Sequence, residues 1–284
     1  MTIGELYRKY LQEMKAFLSS GEADQITNMV FEHVVGLSRS DLIKNPDAAL
    51  AAFKKEELLH KLSLLVTKTP VQYVLGESNF YQLTFEVNQH VLIPRPETEE
   101  LVERAIHFCR QNNKATVLDI GTGSGCIPIS IKKNTTNCAI TTMDISSDAI
   151  ALAKKNALKH QAEIHFLQED FLNENFWKHL PCFDLIVSNP PYIPSSEKAS
   201  MDDNVVLYEP HIALFVPDID PLIFYKKIME FGKSHLNPTG KIIVEIHEKK
   251  GKEVCQLVKE NGYEAILIKD FFGKDRMVEI SLSP

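Results

Sequence analysis

Cysteine, positive charge and long apolar runs are all in short supply in this sequence, and each shortage excludes something. The five cysteines, Cys109, Cys126, Cys138, Cys182 and Cys255, are scattered along the chain. No two have the close spacing of a zinc-ligand pair, and an odd number is a poor basis for a disulfide framework. The histidines, His165, His211 and His247 included, supply no metal spacing either, so no metal site is expected. No stretch approaches about eighteen consecutive apolar residues, which argues against a membrane-spanning helix. The opening MTIGELYRKY mixes charges with apolar residues and does not read as a secretory signal, so a reducing cytoplasm is the expected location. Lysine and arginine number 31 against 38 aspartates and glutamates, a formal charge of -7 that weighs against a broad nucleic-acid surface. What is present is 284 residues, 44% apolar and 24% charged, enough for a main domain of roughly 190 residues with a smaller partner.

Residues 1–76 read as that smaller, helical domain. Ile3, Leu6, Tyr7, Tyr10, Leu11, Met14, Phe17 and Leu18 recur at helical spacing and make an apolar stripe. A second helix is expected from Asp24 to Gly36 and a third from Leu50 towards Pro70, with a break at Asn45-Pro46. The bundle is either a structural cap or a module that docks a partner. Residues 77–93 are expected to form a linking β-hairpin that turns at Val87-Asn88-Gln89-His90. Then Pro94-Arg95-Pro96 enforces an extended segment, and Glu97, Glu99 and Glu100 open a helix running to Gln111.

From residue 94 to 284 the pattern alternates. Strands are expected at Thr116–Ile120, Ala139–Met143, Ile164–Leu167, Phe183–Val187, Lys241–Ile246, Ala265–Ile268 and Met277–Leu282. Helices are expected at Ile127–Lys133, Ser147–His160, Asp220–His235 and Lys250–Asn261. This is an α/β pattern: a seven-stranded, mostly parallel sheet with helices on both faces. The link between the last two strands is too short for a crossover helix. They should therefore pair as an antiparallel hairpin, leaving an antiparallel strand at the sheet edge.

The chemistry concentrates after three of these strands. Gly121-Thr122-Gly123-Ser124-Gly125 follows the first, and glycines let the backbone turn tightly and approach a ligand. The loop lacks the lysine of a phosphate-gripping loop, and its loose match to a dinucleotide fingerprint keeps a nicotinamide enzyme open. Asp144 ends the second strand, where a carboxylate can accept from two ribose hydroxyls. Asp170 follows the third and can accept from an adenine amino group, with Phe171 placed to cover the ring. Asn189-Pro190-Pro191-Tyr192 follows the fourth. The Asn189 side chain and the Pro190 carbonyl can each accept one proton of a planar NH₂ group, and Tyr192 can cover its plane.

Ile93-Pro94-Arg95-Pro96-Glu97-Thr98-Glu99, Val117 to Cys126, Asp144 and Asn189 to Pro194 together resemble the release-factor glutamine methyltransferases of the PrmC/HemK type. Pro70 to Gly76, Glu209-Pro210 and Ala213-Leu214 extend the resemblance over nearly the whole chain. It implies a class I S-adenosylmethionine-dependent methyltransferase fold, Rossmann-like, preceded by a small helical domain. The reaction it implies is methyl transfer to the side-chain nitrogen (N5) of the glutamine in the Gly-Gly-Gln loop of class 1 peptide chain release factors, with S-adenosylhomocysteine as product. Carried onto this chain, Gly121 to Gly125 cradle the cofactor with Asp144, Asp170, Phe171 and Asn189. Asn189, Pro190, Pro191 and Tyr192 hold the glutamine, Arg95 and Glu97 line its approach, and the amino-terminal helices grip the protein substrate. Three departures from the family pattern, Tyr81-Gln82-Leu83, Pro128 and His247, are expected to lie at the hairpin and sheet periphery.

An amide nitrogen is a weak nucleophile, so positioning and preorganised acceptors would carry the catalysis, with no dedicated base. The loop from Pro194 to Pro210 is a candidate lid. The tetrapeptide is shared with adenine-amino (N6) methyltransferases of DNA and RNA, which remain the alternative. A basic groove would be needed for that, and no Lys/Arg cluster stands beside Asn189. No membrane partner, no direct nucleic-acid partner and a monomer are expected.

Overall fold

The computed structural model describes residues 1–283. In chain order, helices α1 (Ile3–Met14), α2 (Ser20–Val35), α3 (Arg39–Lys44), α4 (Ala52–Val66) and α5 (Val71–Leu75) come first. The hairpin β1 (Glu77–Phe80) and β2 (Leu83–Glu86) leads to α6 (Thr98–Gln111), β3 (Thr116–Ile120), α7 (Cys126–Asn134), β4 (Ala139–Asp144), α8 (Ser147–Lys159) and β5 (His165–Gln168). After α9 (Glu174–Trp177) come β6 (Phe183–Ser188), β7 (Ile193–Pro194), α10 (Asp203–Tyr208) and β8 (Phe215–Val216). The chain closes with α11 (Ile223–His235), β9 (Leu236–Glu245), α12 (Gly251–Glu260), β10 (Tyr263–Lys269) and β11 (Asp275–Leu282). These elements fall into two units: Met1–Glu77 with Asp202–Tyr208, and Ser78–Met201 with the chain from Glu209 onward.

The larger unit is built on one sheet, ordered β10-β11-β9-β6-β3-β4-β5. Period-two alternation sorts its apolar residues onto two faces. Val117, Leu185, Val187 and Ile243 join one core with Leu101, Ile106, Ile129 and Phe85. Leu118, Ile120, Ile186, Ile242 and Val244 join the other, under Tyr225, Phe231 and Val254. Strands buried on both sides are what a parallel sheet between helical layers requires, and β3, β4, β5, β6 and β9 all run parallel. The carboxyl-terminal hairpin is antiparallel as expected, but the antiparallel strand is not the edge. β11 slots between β10 and β9 and pairs antiparallel with both. Its apolar content explains this: Met277, Val278 and Ile280 are fully buried, whereas β10 leaves Glu264, Ile266 and Lys269 exposed at the rim.

The β1–β2 hairpin turns at Tyr81 and Gln82, with φ of 47° and 62°, and not at Val87–His90. A two-residue turn with both central residues left-handed matches the twist of its strands, even though neither residue is a glycine or asparagine.

The smaller unit has its own core of Ile3, Leu6, Tyr10, Phe31, Leu58 and Leu62. Phe31 meets Tyr7 and Tyr10 edge-on, both at 5.2 Å between ring centroids. Thr2 and Glu5 form a capping box at the start of α1, and left-handed Gly36 ends α2. The segment expected as an open lid, Pro194 to Pro210, is partly built: it contains a 3₁₀ turn at Ser195–Ser200 and α10. Within this unit Asp203 pairs with Lys68 at 2.6 Å, and the Tyr208 hydroxyl donates to the Thr67 carbonyl at 2.5 Å.

Candidate active site

Strand register decides which loops become neighbours. Ile120 of β3 lies opposite Met143 of β4 and Ser188 of β6, so the next residues, Gly121, Asp144 and Asn189, emerge side by side at the carboxyl edge of the sheet. Asp144 is itself opposite Gln168, two residues before Asp170, and Val244 opposite Ser188 brings Glu245 next to Asn189. The chain leaves β3 for β4 on one side and leaves β6 for β9 on the other, so the switch point at which open α/β sheets form their crevice lies between β3 and β6. A cavity of about 230 Å³ opens there. It is walled by Gly121 to Ser124, Asp144, Asp170, Phe171, Asn189 and Pro191, with Arg95 and Thr98 on the opposite side.

The glycine loop is held open by its backbone. Gly121, Gly123 and Gly125 have φ of 80°, 53° and 81°. Gly125 has a second reason to be glycine: a Cβ there would lie 2.9 Å from Ile129 and 3.2 Å from Ala153. Asp144 accepts from the Gly123 amide and from the Ser146 amide, both at 2.9 Å, which ties β4 to the loop. Burial raises its pKa. Asn156, fully buried on α8, donates to the Ser124 and Glu86 carbonyls and steadies the loop from behind. Thr122 and Ser124 are buried with hydroxyls that have no partner, and so does one oxygen of Asp119 just below them.

The tetrapeptide after β6 is braced by groups that its own sequence does not contain. Asn189 Nδ2 donates to Thr98 Oγ1 at 3.1 Å, Thr98 Oγ1 donates to Glu245 Oε2 at 2.6 Å, and Tyr192 donates to Glu245 Oε1 at 3.1 Å. Glu245 is 1% exposed. Burial raises its pKa, opposed by the Thr98 hydroxyl, the Arg276 charge and the Tyr192 hydroxyl. Among the described residues nothing donates to Asn189 Oδ1 or to the Pro190 carbonyl.

The sequence matches the family described as "PrmC N-terminal domain" over residues 9–76 and that described as "Methyltransferase small domain" over 103–207. A release factor glutamine methyltransferase of Flavobacterium psychrophilum is 38% identical over 288 residues, 99% of each chain. The chain belongs to the release factor glutamine methyltransferase family. Another protein of that name, from Bacteroides thetaiotaomicron, is 38% identical over 94% of this chain and 95% of its own. Among solved structures, the catalytic domain of hMettl16 in complex with the MAT2A 3′UTR hairpin 6 reaches a TM-score of 0.56 at 13% identity, covering 81% of this chain and 82% of that one. That likeness is one of fold alone.

As a release factor glutamine methyltransferase family member, the chain brings Gly121 to Ser124, Asp144, Asp170, Phe171, Asn189 and Pro191 to one cavity. Phe171 is also a core residue, 5% exposed and packed against Trp177 and Phe231. Pro190 is buried and Tyr192 half-buried, and neither joins the cavity wall; Tyr192 stands behind it, on Glu245. Arg95 reaches the cavity and is fixed at 2.5 Å by Glu209, which also accepts from the Ile93 amide. Glu97 does not: it lines a separate and larger cavity, although its charge is felt by Glu245. Nor is His247 peripheral, since its ring meets Tyr192 edge-on at 6.0 Å.

Thr98, Glu245 and Asn156 were not foreseen as site residues. One signal was available for Glu245, a charge enclosed by Ile242-Ile243-Val244 and Ile246, because an acid in a buried strand needs partners.

S-adenosylmethionine is the ligand that the resemblance implies, and the residues present fit it. The open backbone of Gly121 and Gly123 and the Asp144 carboxylate offer partners for its amino-acid and ribose parts, in a slot walled by Ile145 and Phe171.

Proposed function

We propose that this protein methylates the side-chain amide nitrogen of a glutamine, that of the Gly-Gly-Gln loop in class 1 release factors, using S-adenosylmethionine. The observation that carries the reading is Asn189 on the cavity wall beside the glycine loop, its NH₂ end taken by Thr98 and its oxygen left without a donor, with the Pro190 carbonyl as the next acceptor along the chain. S-adenosylmethionine supplies an electrophilic methyl group on a sulfonium. Gly121 to Gly125, Asp144 and Asp170 hold and orient that cofactor, with Phe171 closing one wall. Asn189 and Pro190 accept the two amide protons, turn the nitrogen towards the methyl group and favour the positive charge that develops on it. No side chain is needed as base, because an N-alkylated amide cation sheds its proton readily. Pro191 shapes the pocket wall, Tyr192 braces it from behind on Glu245, and Arg95, held by Glu209, lines the approach.

The acidic total of -7 fits a protein partner better than a nucleic-acid one. No helix among the described residues is long and apolar enough to cross a membrane. We place the reaction in the cytoplasm, with a monomeric enzyme. The division of labour follows the chain: 1–76 docks the protein substrate, 77–93 links, and 94–284 carries the cofactor and the chemistry. Incubation of a class 1 release factor with methyl-labelled cofactor, followed by peptide mass spectrometry, tests the proposal. It predicts label on the Gly-Gly-Gln glutamine with the parent enzyme, reduced about 10²- to 10³-fold by Asn189→Ala. Label on DNA adenine in a parallel incubation, and none on the release factor, would overturn it.

A further inference from the structure

We infer that Thr98 and Glu245 are positioning residues: together they fix which way the Asn189 amide faces. The inference rests on the proposed role of Asn189 as an acceptor. A side-chain amide has two nearly isosteric ends, an acceptor oxygen and a donor NH₂, and a 180° flip exchanges them. For Asn189 that flip would be fatal, because an NH₂ group facing the substrate's own NH₂ would repel what it must hold. Something must select one orientation.

The hydrogen-bond order selects it. An ionised carboxylate can only accept. Glu245 is buried, faces Arg276, and takes the hydroxyl protons of Thr98 and Tyr192 on its two oxygens. Thr98 has a single proton and spends it on Glu245 at 2.6 Å. What its oxygen offers Asn189 is therefore lone pairs alone. Only the NH₂ end of Asn189 satisfies that demand, and it does so at 3.1 Å. Oδ1 is left for the cavity, where nothing among the described residues competes for it. Direction thus passes from Glu245 through Thr98 to Asn189, and the same carboxylate fixes Tyr192 beside it. The strand pairs supply the distances: Ser188 opposite Val244 puts Asn189 and Glu245 in adjacent exits, and the amino terminus of α6 inserts Thr98 between them.

Three variants test the inference. Thr98→Val keeps the shape and removes the hydroxyl. Thr98→Ser keeps the hydroxyl. Glu245→Gln keeps the shape but adds a donor, which lets Thr98 turn its proton towards Asn189. Thr98→Val and Glu245→Gln should each lower kcat about 10- to 100-fold, the cost of misplacing a reacting group, while KM for S-adenosylmethionine stays within about threefold. Thr98→Ser should recover most of the loss. The double variant should be no worse than the weaker single one, because both break one relay. Thermal melts identify any variant that fails to fold; Glu245→Gln alone still decides if Thr98→Val is lost in that way.

Parent-like kcat in the singles, or Thr98→Ser as impaired as Thr98→Val, would overturn the inference. So would multiplicative losses in the double variant. If the parent enzyme labels a different amine, the proposed substrate fails. The relay does not, since the same variants must then reduce that labelling in the same ratios.

Discussion

Asp119 and Asp144 stand on neighbouring strands 25 residues apart in sequence, and burial acts on both. Asp119 is fully buried, with one oxygen on Thr142 and the other unpaired, and its pKa is pushed up to about 7. A carboxyl with a folded-state pKa above its unfolded value favours the folded state most at low pH. Stability from this group is therefore complete below about pH 4, falls as pH rises, and levels off above about pH 7, a change on the order of 4 kcal/mol. Urea unfolding of the ligand-free protein at pH 5 and pH 8 should show that fall, and Asp119→Asn should flatten it. For Asp144 the expected effect is on binding. Asp144→Asn removes charge from a hydrogen-bonded acceptor and should weaken cofactor affinity by about 10- to 100-fold in calorimetry, with little change in melting temperature. Asp144 was legible as a candidate because an acid ending the second strand of an open α/β sheet opens onto its crevice, whereas nothing in the sequence singled out Asp119. Thr98 was passed over because a threonine in a helix's first turn has an ordinary reading as a helix former's neighbour or cap.

Secondary elements were the most legible part of the chain. All seven strands of the large sheet overlap the expected ones, although β9 begins at Leu236, five residues before the expected Lys241, and the four central helices begin and end within three residues of expectation. Periodicity reports burial, and burial here follows the sheet. What periodicity could not give was strand order: β11 displaces β10 from its neighbour because it carries more buried apolar surface, a comparison that needs the packed structure. The Tyr81-Gln82 turn escaped for a related reason. Neither residue advertises positive φ, yet Tyr81 is held by Glu99 through its amide and by Glu103 through its hydroxyl. The contact between α7 and α8 is a place where one atom matters. Gly125→Ala would add a Cβ 2.9 Å from Ile129 and strain a left-handed backbone, and we expect a loss of about 2–4 kcal/mol with cofactor binding weakened, read by chemical denaturation and calorimetry.

The larger unit has a core on each face of its sheet and the amino-terminal unit has a third, and none of the three shares a residue with another. Phe31→Ala removes a fully buried ring from the amino-terminal core and should destabilise that unit by about 3–5 kcal/mol. Affinity for S-adenosylhomocysteine, bound in the other unit, should stay within about twofold, while kcat/KM on an intact release factor falls. That divergence is measurable by calorimetry and label transfer on one preparation. The proposed chemistry rests on a smaller object, two oxygens set to hold a flat NH₂ group. A crystal structure with S-adenosylhomocysteine and a peptide containing Gly-Gly-Gln measures it. The glutamine nitrogen should lie about 3 Å from both Asn189 Oδ1 and the Pro190 carbonyl. A glutamine side chain bound elsewhere, or an Asn189 oxygen turned back onto Thr98, would contradict the mechanism.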